Sequence, residues 1–529
     1  MPATRSGVTR REVLLQLAAL AALPLPRMSW SSLLADDPLD GTIAAYQAGR
    51  QRGDWTAVQV TTRALERCRT DGAKWRAIDA LCADDALAAA RASDLRLKNK
   101  ALLGPMDGVP VFAKAIYDMK GLPTTGSNAE WARLFPDPVN RDAIEVARLR
   151  AAGAVLLGKT AADDFAYHGN GTSTHTGQVL NPRDRTGTRI PGGSSAGSAV
   201  AVACGMAFAA LGTDDGGSNR IPAQFTGCVG MKPTFGLVPR TGVIPTWPYL
   251  DTHGPLARSV ADAALLLAVI AGADLSDPLA VGGKPILPEF RDRLPGVRIG
   301  VVEDHAPRAN MSAEGIAMWE RAVSDLRATG AMVDTFSLPV NRLTFRTAFA
   351  DAAKARGDVP VNPDSPPPTA NALYRYFEGR TSDARAAIRR GYEAYQHYYD
   401  VLPKTYEECE PLFEKPMTED PAGVSFARSR TEVVASLAKT MRAAGVAAMV
   451  YPTMPYDAPK IGDKWPDVRT PLVFGNWLGL PEVSVPAGVG ANGMEALNIS
   501  FVGLPGTDAS VLAYAHAYEQ QSKRFVLAR

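Results

Sequence analysis

Two glycine–serine clusters bracket one apolar stretch in this chain, and few folds have a use for that arrangement. The first is Pro191-Gly-Gly-Ser-Ser-Ala-Gly-Ser198 and the second is Gly212-Thr-Asp-Asp-Gly-Gly-Ser-Asn-Arg220, with Ala199 to Leu211 between them. Glycine pairs weaken any helix or strand that contains them, so a core gains nothing from such clusters. They do let the backbone approach a ligand closely and aim successive N–H groups at one point, which suits an anion or oxyanion. Serines in that setting point to hydroxyl chemistry. A single Gly-Gly-Ser triplet reads as a tight turn. Two clusters preceded by a lysine in an apolar run, Lys114 in Val111-Phe-Ala-Lys-Ala-Ile116, read as a site.

Composition narrows the partners. The 529 residues hold 57 Lys+Arg against 55 Asp+Glu, a net charge of +2 with both signs interspersed, so no nucleic-acid surface follows. Five scattered cysteines (Cys68, Cys82, Cys204, Cys228, Cys409) include no Cys-x-x-Cys pair, and their odd number supports no disulfide framework. Six histidines show no His-x-x-x-His spacing. No metal and no cofactor are expected.

The N-terminus carries a different signal. Arg10-Arg11 precedes an apolar run from Leu14 to Leu25 that Pro24 and Pro26 close, the pattern of a twin-arginine (Tat) export signal. The run falls short of the roughly 20 residues a membrane span needs, so stable membrane insertion is not expected. An amphipathic leader helix of a cytoplasmic enzyme is the alternative. Residues 1–35 are therefore set aside as a signal segment, which implies a periplasmic enzyme, and 36–529 are taken as one catalytic domain.

Beyond that leader, helical and strand patterns alternate. Helices are expected at 54–69, 84–97, 142–152, 195–205, 312–328 and 424–444. Strands are expected at 108–115, 154–157, 206–211, 297–302, 331–336, 446–451, 483–485 and 496–502. This alternation predicts an α/β fold, a layered sheet flanked by helices. Residues 340–420 break the rhythm with a dense set of aromatics, among them Phe345, Phe349, Tyr376, Phe377, Tyr395 and Tyr399, interrupted by Pro366-Pro367-Pro368. They read as a helical insertion whose rings either pack a small core of their own or line the substrate pocket.

Two spellings mislead. Gly153-Ala-Val-Leu-Leu-Gly-Lys-Thr160 fits the Walker A pattern, but its four middle residues are themselves a strand, not the polar turn that cradles phosphates. Gly193-Ser-Ser-Ala-Gly197, followed by Asp508 and His516, fits the nucleophile elbow and triad order of α/β-hydrolases. The elbow needs a buried strand just before its serine, and a polar loop from Asn181 to Pro191 stands there instead.

Lys114, Gly192-Gly-Ser-Ser195 and Asp215-Gly-Gly-Ser218 occur in order with Gly230-Met-Lys-Pro233, Asp251-Thr-His-Gly-Pro-Leu-Ala-Arg-Ser-Val-Ala-Asp262 and Asn476-Trp-Leu-Gly-Leu-Pro481. On these motifs the chain resembles the amidase signature family of serine hydrolases over nearly its whole length after the leader. The resemblance implies a mixed central β-sheet flanked by helices, with Ser218 as nucleophile, Ser194 as bridging serine on a cis peptide, and Lys114 as ultimate base. It implies an oxyanion hole from the backbone N–H groups of Asp215, Gly216, Gly217 and Ser218. Ser195 either orients the loop or caps the next helix. The sequence departs from the family at Ala196 (commonly Gly), Asp215 (commonly Thr or Ile), Asn219 (commonly apolar) and Glu495-Ala-Leu-Asn-Ile-Ser500.

The implied activity is hydrolysis of non-peptide, linear amide bonds in a small-molecule substrate through an acyl-enzyme. The alternatives are a hydrolase of esters or carbamates and a tRNA-dependent amidotransferase A-type subunit. A catalytically dead binding protein is disfavoured, because all three triad residues are present. A homodimer is compatible with the sequence.

Overall fold

The computed structural model describes residues 37–282, 288–305, 308–362, 370–378, 380–399, 402–465, 471–491 and 493–528. The expected export segment at 1–35 and the triproline at 366–368 lie outside the described residues.

An eleven-stranded mixed sheet organises the molecule. In chain order its strands are β1 (Ile78–Leu81), β2 (Pro110–Lys114), β3 (Val155–Thr160), β4 (Ala209–Asp214), β5 (Val229–Lys232), β6 (Thr252–Ala257), β7 (Arg298–Val301), β8 (Met332–Thr335), β9 (Ala448–Pro452), β10 (Glu482–Val489) and β11 (Ala496–Val502). Across the sheet they run β1-β3-β2-β4-β6-β5-β10-β11-β9-β7-β8. The β3-β2-β4 and β9-β7-β8 runs are parallel, and the pairs joining these two runs are antiparallel. Strands β2, β3, β4, β5 and β6 are buried along their whole length, which is why they read as continuous apolar or small-residue runs rather than alternating ones. Helices Val260–Ile270 and Asp508–Ser522 pack on β6 and β10. The α/β fold with a mixed central sheet is thus as expected.

Three strands were not foreseen, and one was displaced. β1 is short and half-buried, while β5 and β6 lie inside stretches dominated by motif residues. β6 contains Gly254-Pro255, which normally signals a turn, yet Gly254 pairs with Gly212 and Pro255 with Leu211 of β4. The strand expected at 206–211 runs from Ala209 to Asp214 instead. Helix Ala196–Ala203 ends in a turn at Cys204–Gly205, so Met206–Phe208 become the connection. The shift carries β4 into the second glycine cluster.

The region 340–420 is helical, with helices Phe345–Arg356, Ala370–Glu378, Ala384–Gln396 and Tyr406–Cys409, followed by Pro421–Ala444. Asp420 caps the last of these by accepting from the N–H groups of Ala422 (2.8 Å) and Gly423 (3.1 Å), with Pro421 in the first turn. The aromatics follow neither expectation alone. Tyr374 stacks on Phe413 inside the insertion. Phe377 and Tyr395 instead pack against Trp131, and Tyr395 meets Phe165 edge-on. The insertion is therefore docked on the main body through shared core. Asp118 reinforces that docking by accepting from the Tyr376 hydroxyl (3.0 Å) while facing Arg141 and Arg380.

Candidate active site

Lys114 is the last residue of β2, so the strand delivers its amine to the sheet's end, where the two glycine–serine clusters meet. The side chain is fully buried. Its Nζ donates to Ser194 Oγ (2.7 Å), Thr213 Oγ1 (2.8 Å) and Ser195 Oγ (3.1 Å). Burial pushes the amine down to about 8, against the opposing pull of Asp215, Asp163, Asp251 and Asp214. A neutral amine has two N–H donors and one lone pair. Thr213 and Ser195 can take the donors, which leaves the lone pair to the Ser194 hydroxyl.

Ser195 makes a full set of hydrogen bonds. Its Oγ accepts from Lys114 Nζ and from the Thr213 N–H (3.2 Å), and its one proton faces Asn219 Oδ1 (3.1 Å) and the Thr213 carbonyl (3.2 Å). It sits at the N-cap of helix Ala196–Ala203 but makes no side-chain capping bond, so it ties the loops together rather than capping the helix. Its N–H donates to the Ser218 carbonyl (3.1 Å), which joins the two clusters through the main chain.

Ser194 follows a cis peptide bond with Gly193. A Cβ on Gly193 would lie 2.1 Å from Asp163 Oδ2, so only glycine allows that carboxylate so close. Asp163 in turn accepts from the N–H groups of Asn170 (3.1 Å), Gly171 (2.9 Å) and Thr172 (3.1 Å), and its own N–H donates to the Ser194 carbonyl (3.2 Å).

The second cluster is built around Asp214, which sequence reading passed over. Its carboxylate accepts from Arg220 Nη2 (2.7 Å) and Nε (2.8 Å), Asn476 Nδ2 (3.0 Å), the Gly217 N–H (2.7 Å) and the Asn219 N–H (3.1 Å). Burial would push this carboxyl up, but the bidentate Arg220 guanidinium overrides it and holds Asp214 well below the usual carboxylate range. Arg220 also pairs with Glu482 and donates to Asn476 Oδ1 (2.7 Å). Side chains from β4, β10 and helix Pro471–Trp477 thereby converge on Arg220, at the start of helix Arg220–Thr226, and hold Ser218 in place. Ser218 retains 8% exposure, whereas Ser194 and Ser195 have none, so Ser218 is the serine that faces the outside.

One expectation is corrected here. The Gly217 N–H is spent on Asp214 and cannot serve an oxyanion. Gly217 takes φ of +119°, and a Cβ there would meet Leu472 at 2.7 Å and Ile221 at 2.8 Å, so its role is to turn the chain. No acceptor among the described residues faces the N–H groups of Asp215, Gly216 and Ser218.

The misleading spellings resolve as expected. Lys159 and Thr160 lie in strand β3, and Lys159 Nζ donates to the Pro123 carbonyl (2.7 Å) and Thr124 Oγ1 (3.2 Å). Asp508 accepts from the Thr234 N–H (2.8 Å), and His516 packs on Phe290 at 4.2 Å. Neither reaches the serines. Asn219, flagged as a departure, bridges Ser195 to β5 through the Met231 carbonyl (3.0 Å). No metal-binding group of three or more His, Cys, Asp or Glu side chains occurs among the described residues.

A sheet-end lysine on two serine hydroxyls, one following a cis peptide, defines a class of serine hydrolase, and comparison with known proteins gives its family. A family model described as Amidase matches residues 59–512, and the chain belongs to that amidase signature family of enzymes acting on C–N bonds. Among its relatives, the A-type subunit of glutamyl-tRNA(Gln) amidotransferase from Symbiobacterium thermophilum is 34% identical over 89% of this chain and 94% of that protein. The protein of the same name from Azorhizobium caulinodans is 30% identical over 92% and 97%. Among solved structures, native peptide amidase from Stenotrophomonas maltophilia superposes with a TM-score of 0.72 at 27% identity, covering 93% of this chain and 99% of that one. The A-type subunit of the Thermotoga maritima glutamyl-tRNA(Gln) amidotransferase gives 0.66 at 25% identity, covering 94% and 99%.

Proposed function

We propose that this chain cleaves an amide C–N bond through an acyl-enzyme, with Ser218 as nucleophile, Ser194 as proton bridge and Lys114 as base. The observation that carries this reading is the buried Lys114 amine 2.7 Å from Ser194 Oγ, where burial lowers its hold on a proton to about 8. Neutral Lys114 takes the Ser194 proton as Ser194 takes that of Ser218, and Ser218 Oγ bonds to the amide carbon. The N–H groups of Asp215, Gly216 and Ser218 receive the oxyanion, Gly217 being committed elsewhere. The proton returns through Ser194 to the leaving nitrogen as the C–N bond breaks. Water then attacks the acyl carbon and frees Ser218.

The curated relatives, which the chain spans almost entirely, support an A-type amidotransferase subunit that passes the released nitrogen to partner proteins. A free amidase acting on small-molecule amides is the second reading, favoured by the Arg10-Arg11 leader and by the likeness to peptide amidase. In that reading residues 1–35 direct export through the twin-arginine route to the periplasm.

Two experiments separate these readings. The chain alone is assayed for ammonia or amine release from carboxamide amino acids, peptide amides and aryl amides, with Ser218→Ala as control. A free amidase turns over simple amides unaided, whereas a subunit does so only when its partners are supplied. Replacing Arg10 and Arg11 with lysine retains an exported enzyme in the cytoplasm uncleaved; unchanged fractionation refutes export and strengthens the subunit reading.

A further inference from the structure

Asp215 sits between β4 and Ser218, and the triad does not explain its side chain. Thr or Ile is commoner at this position in the family that the chain resembles, so the carboxyl is a departure from the common pattern. It is buried, Oδ1 accepts only from the Trp247 N–H (3.3 Å), and Oδ2 has no hydrogen-bond partner. Isolated buried carboxylates are costly, so this one must share its charge or its proton.

The groups around it are mostly committed. Asp214 is spent on Arg220, and Asp163, which faces Lys114, is spent on three N–H groups. Arg240 forks onto Asp277, and the Tyr395 and Tyr399 hydroxyls donate to the Pro245 (2.6 Å) and Phe165 (2.6 Å) carbonyls. That leaves the charges of Lys114 and Asp251 acting on Asp215, and Asp251 is tied to the same segment as Asp215, its Oδ2 accepting from the Thr246 N–H (3.4 Å) next to Trp247. Asp251 opens a buried chain. His253 Nε2 lies 3.3 Å from Asp251 Oδ1, its Nδ1 lies 2.5 Å from Glu145 Oε1, and Glu145 Oε2 has no hydrogen-bond partner. The β4–β6 register sets His253 opposite Thr213, so the imidazole shares a sheet face with the hydroxyl that Lys114 contacts.

We propose that Asp215 is a positioning residue that governs how readily Lys114 takes up a proton, with the buried Asp251–His253–Glu145 chain setting the charge on Asp215. This rests on the reading of Lys114 as base. Burial, then the charge of Asp251, pushes the Asp215 carboxyl well above its usual range, while burial pulls the Lys114 amine down. One proton is then shared between an ammonium–carboxylate pair and an amine–carboxylic acid pair, and only the second can deprotonate Ser194. Asp251 and Glu145 together hold His253 up to about 9 against its burial, so the chain keeps a positive charge between two carboxyls near neutral pH.

The test is the pH dependence of Ser218 acylation by a fluorophosphonate in the wild type, Asp215→Asn and Asp215→Thr. Both variants remove a group that stabilises the ammonium. The acid limb of the labelling rate should move to lower pH by on the order of one unit and become a single ionisation. An unmoved limb in either folded variant overturns the proposal. Should both fail to fold, the wild-type limb decides: it must show two coupled ionisations, and a single one refutes it. If Ser218 is not labelled, or if Lys114→Ala labels at the wild-type rate, the base reading itself has failed. If those two hold and the limb stays put, only the role of Asp215 has failed.

Discussion

Lys114 and Lys159 stand one residue out of step on neighbouring parallel strands, Lys159 paired with Ala113 and Lys114 with Thr160. Both are fully buried, and burial pushes both amines down to about 8. Their surroundings differ in kind. Lys159 points at a carbonyl and one threonine hydroxyl, with Asp79 and Asp118 as the principal opposing charges. Lys114 points at three hydroxyls, one of them on the residue after the cis peptide. The carbonyl has no proton to give and the Thr124 hydroxyl donates its own to Asp118 (2.8 Å), so neither partner offers Lys159 a proton to take. Burial tunes an amine, but only the partner decides whether the tuning has a chemical use.

The contrast is broken or sharpened most strongly by removing each amine in turn. Lys114→Ala should lower amide kcat/KM by on the order of 10⁴-fold or more, as losses of triad members do elsewhere, while the protein stays folded by circular dichroism. Lys114→Arg should not restore it, because a guanidinium stays charged at any working pH. Asn219→Ala leaves Ser195 without its side-chain acceptor and should cost roughly tenfold in kcat, with KM little changed, since the loop and not the substrate is affected. Lys159→Met should leave kcat/KM of the folded enzyme within a fewfold of wild type. It should lower unfolding free energy by about 1–3 kcal/mol, because the Pro123 carbonyl loses its donor.

Both lysines also tie stability to pH. Each folded amine holds its proton less tightly than in the unfolded chain, which therefore binds more protons between about pH 8 and ~10. Stability rises with pH across that window. Lys159→Met should reduce the slope measured by denaturant titration, and an unchanged slope would mean that Lys159 is charged in the folded state.

Much of this was legible in the sequence, for reasons that differ by region. The long periodic helices and the apolar strands β2, β3, β7, β9 and β11 carry their pattern locally. Strand β6 was hidden because Gly254-Pro255 obeys the demands of its neighbours and not of its own backbone. Lys114 and Ser194 were readable as partners only through ordered motifs, since 80 residues separate them. Asp214 was missed because its importance is the number of donors converging from several segments, which no local spacing records. The expectation for the Gly217 N–H failed for the same reason. Gly217 does turn the chain, but the acceptor that consumes its N–H lies three residues back, in a side chain whose direction the sequence does not show.

The central claim is that a neutral Lys114 activates Ser218, and the rate at which a fluorophosphonate labels the wild-type enzyme tests it most directly, because acylation is then isolated from deacylation and release. Label should appear on Ser218, with a rate that rises with pH along a limb centred near 8, and that limb should be lost in Lys114→Ala. Labelling on Ser195, or a rate flat from neutral to alkaline pH, would contradict it.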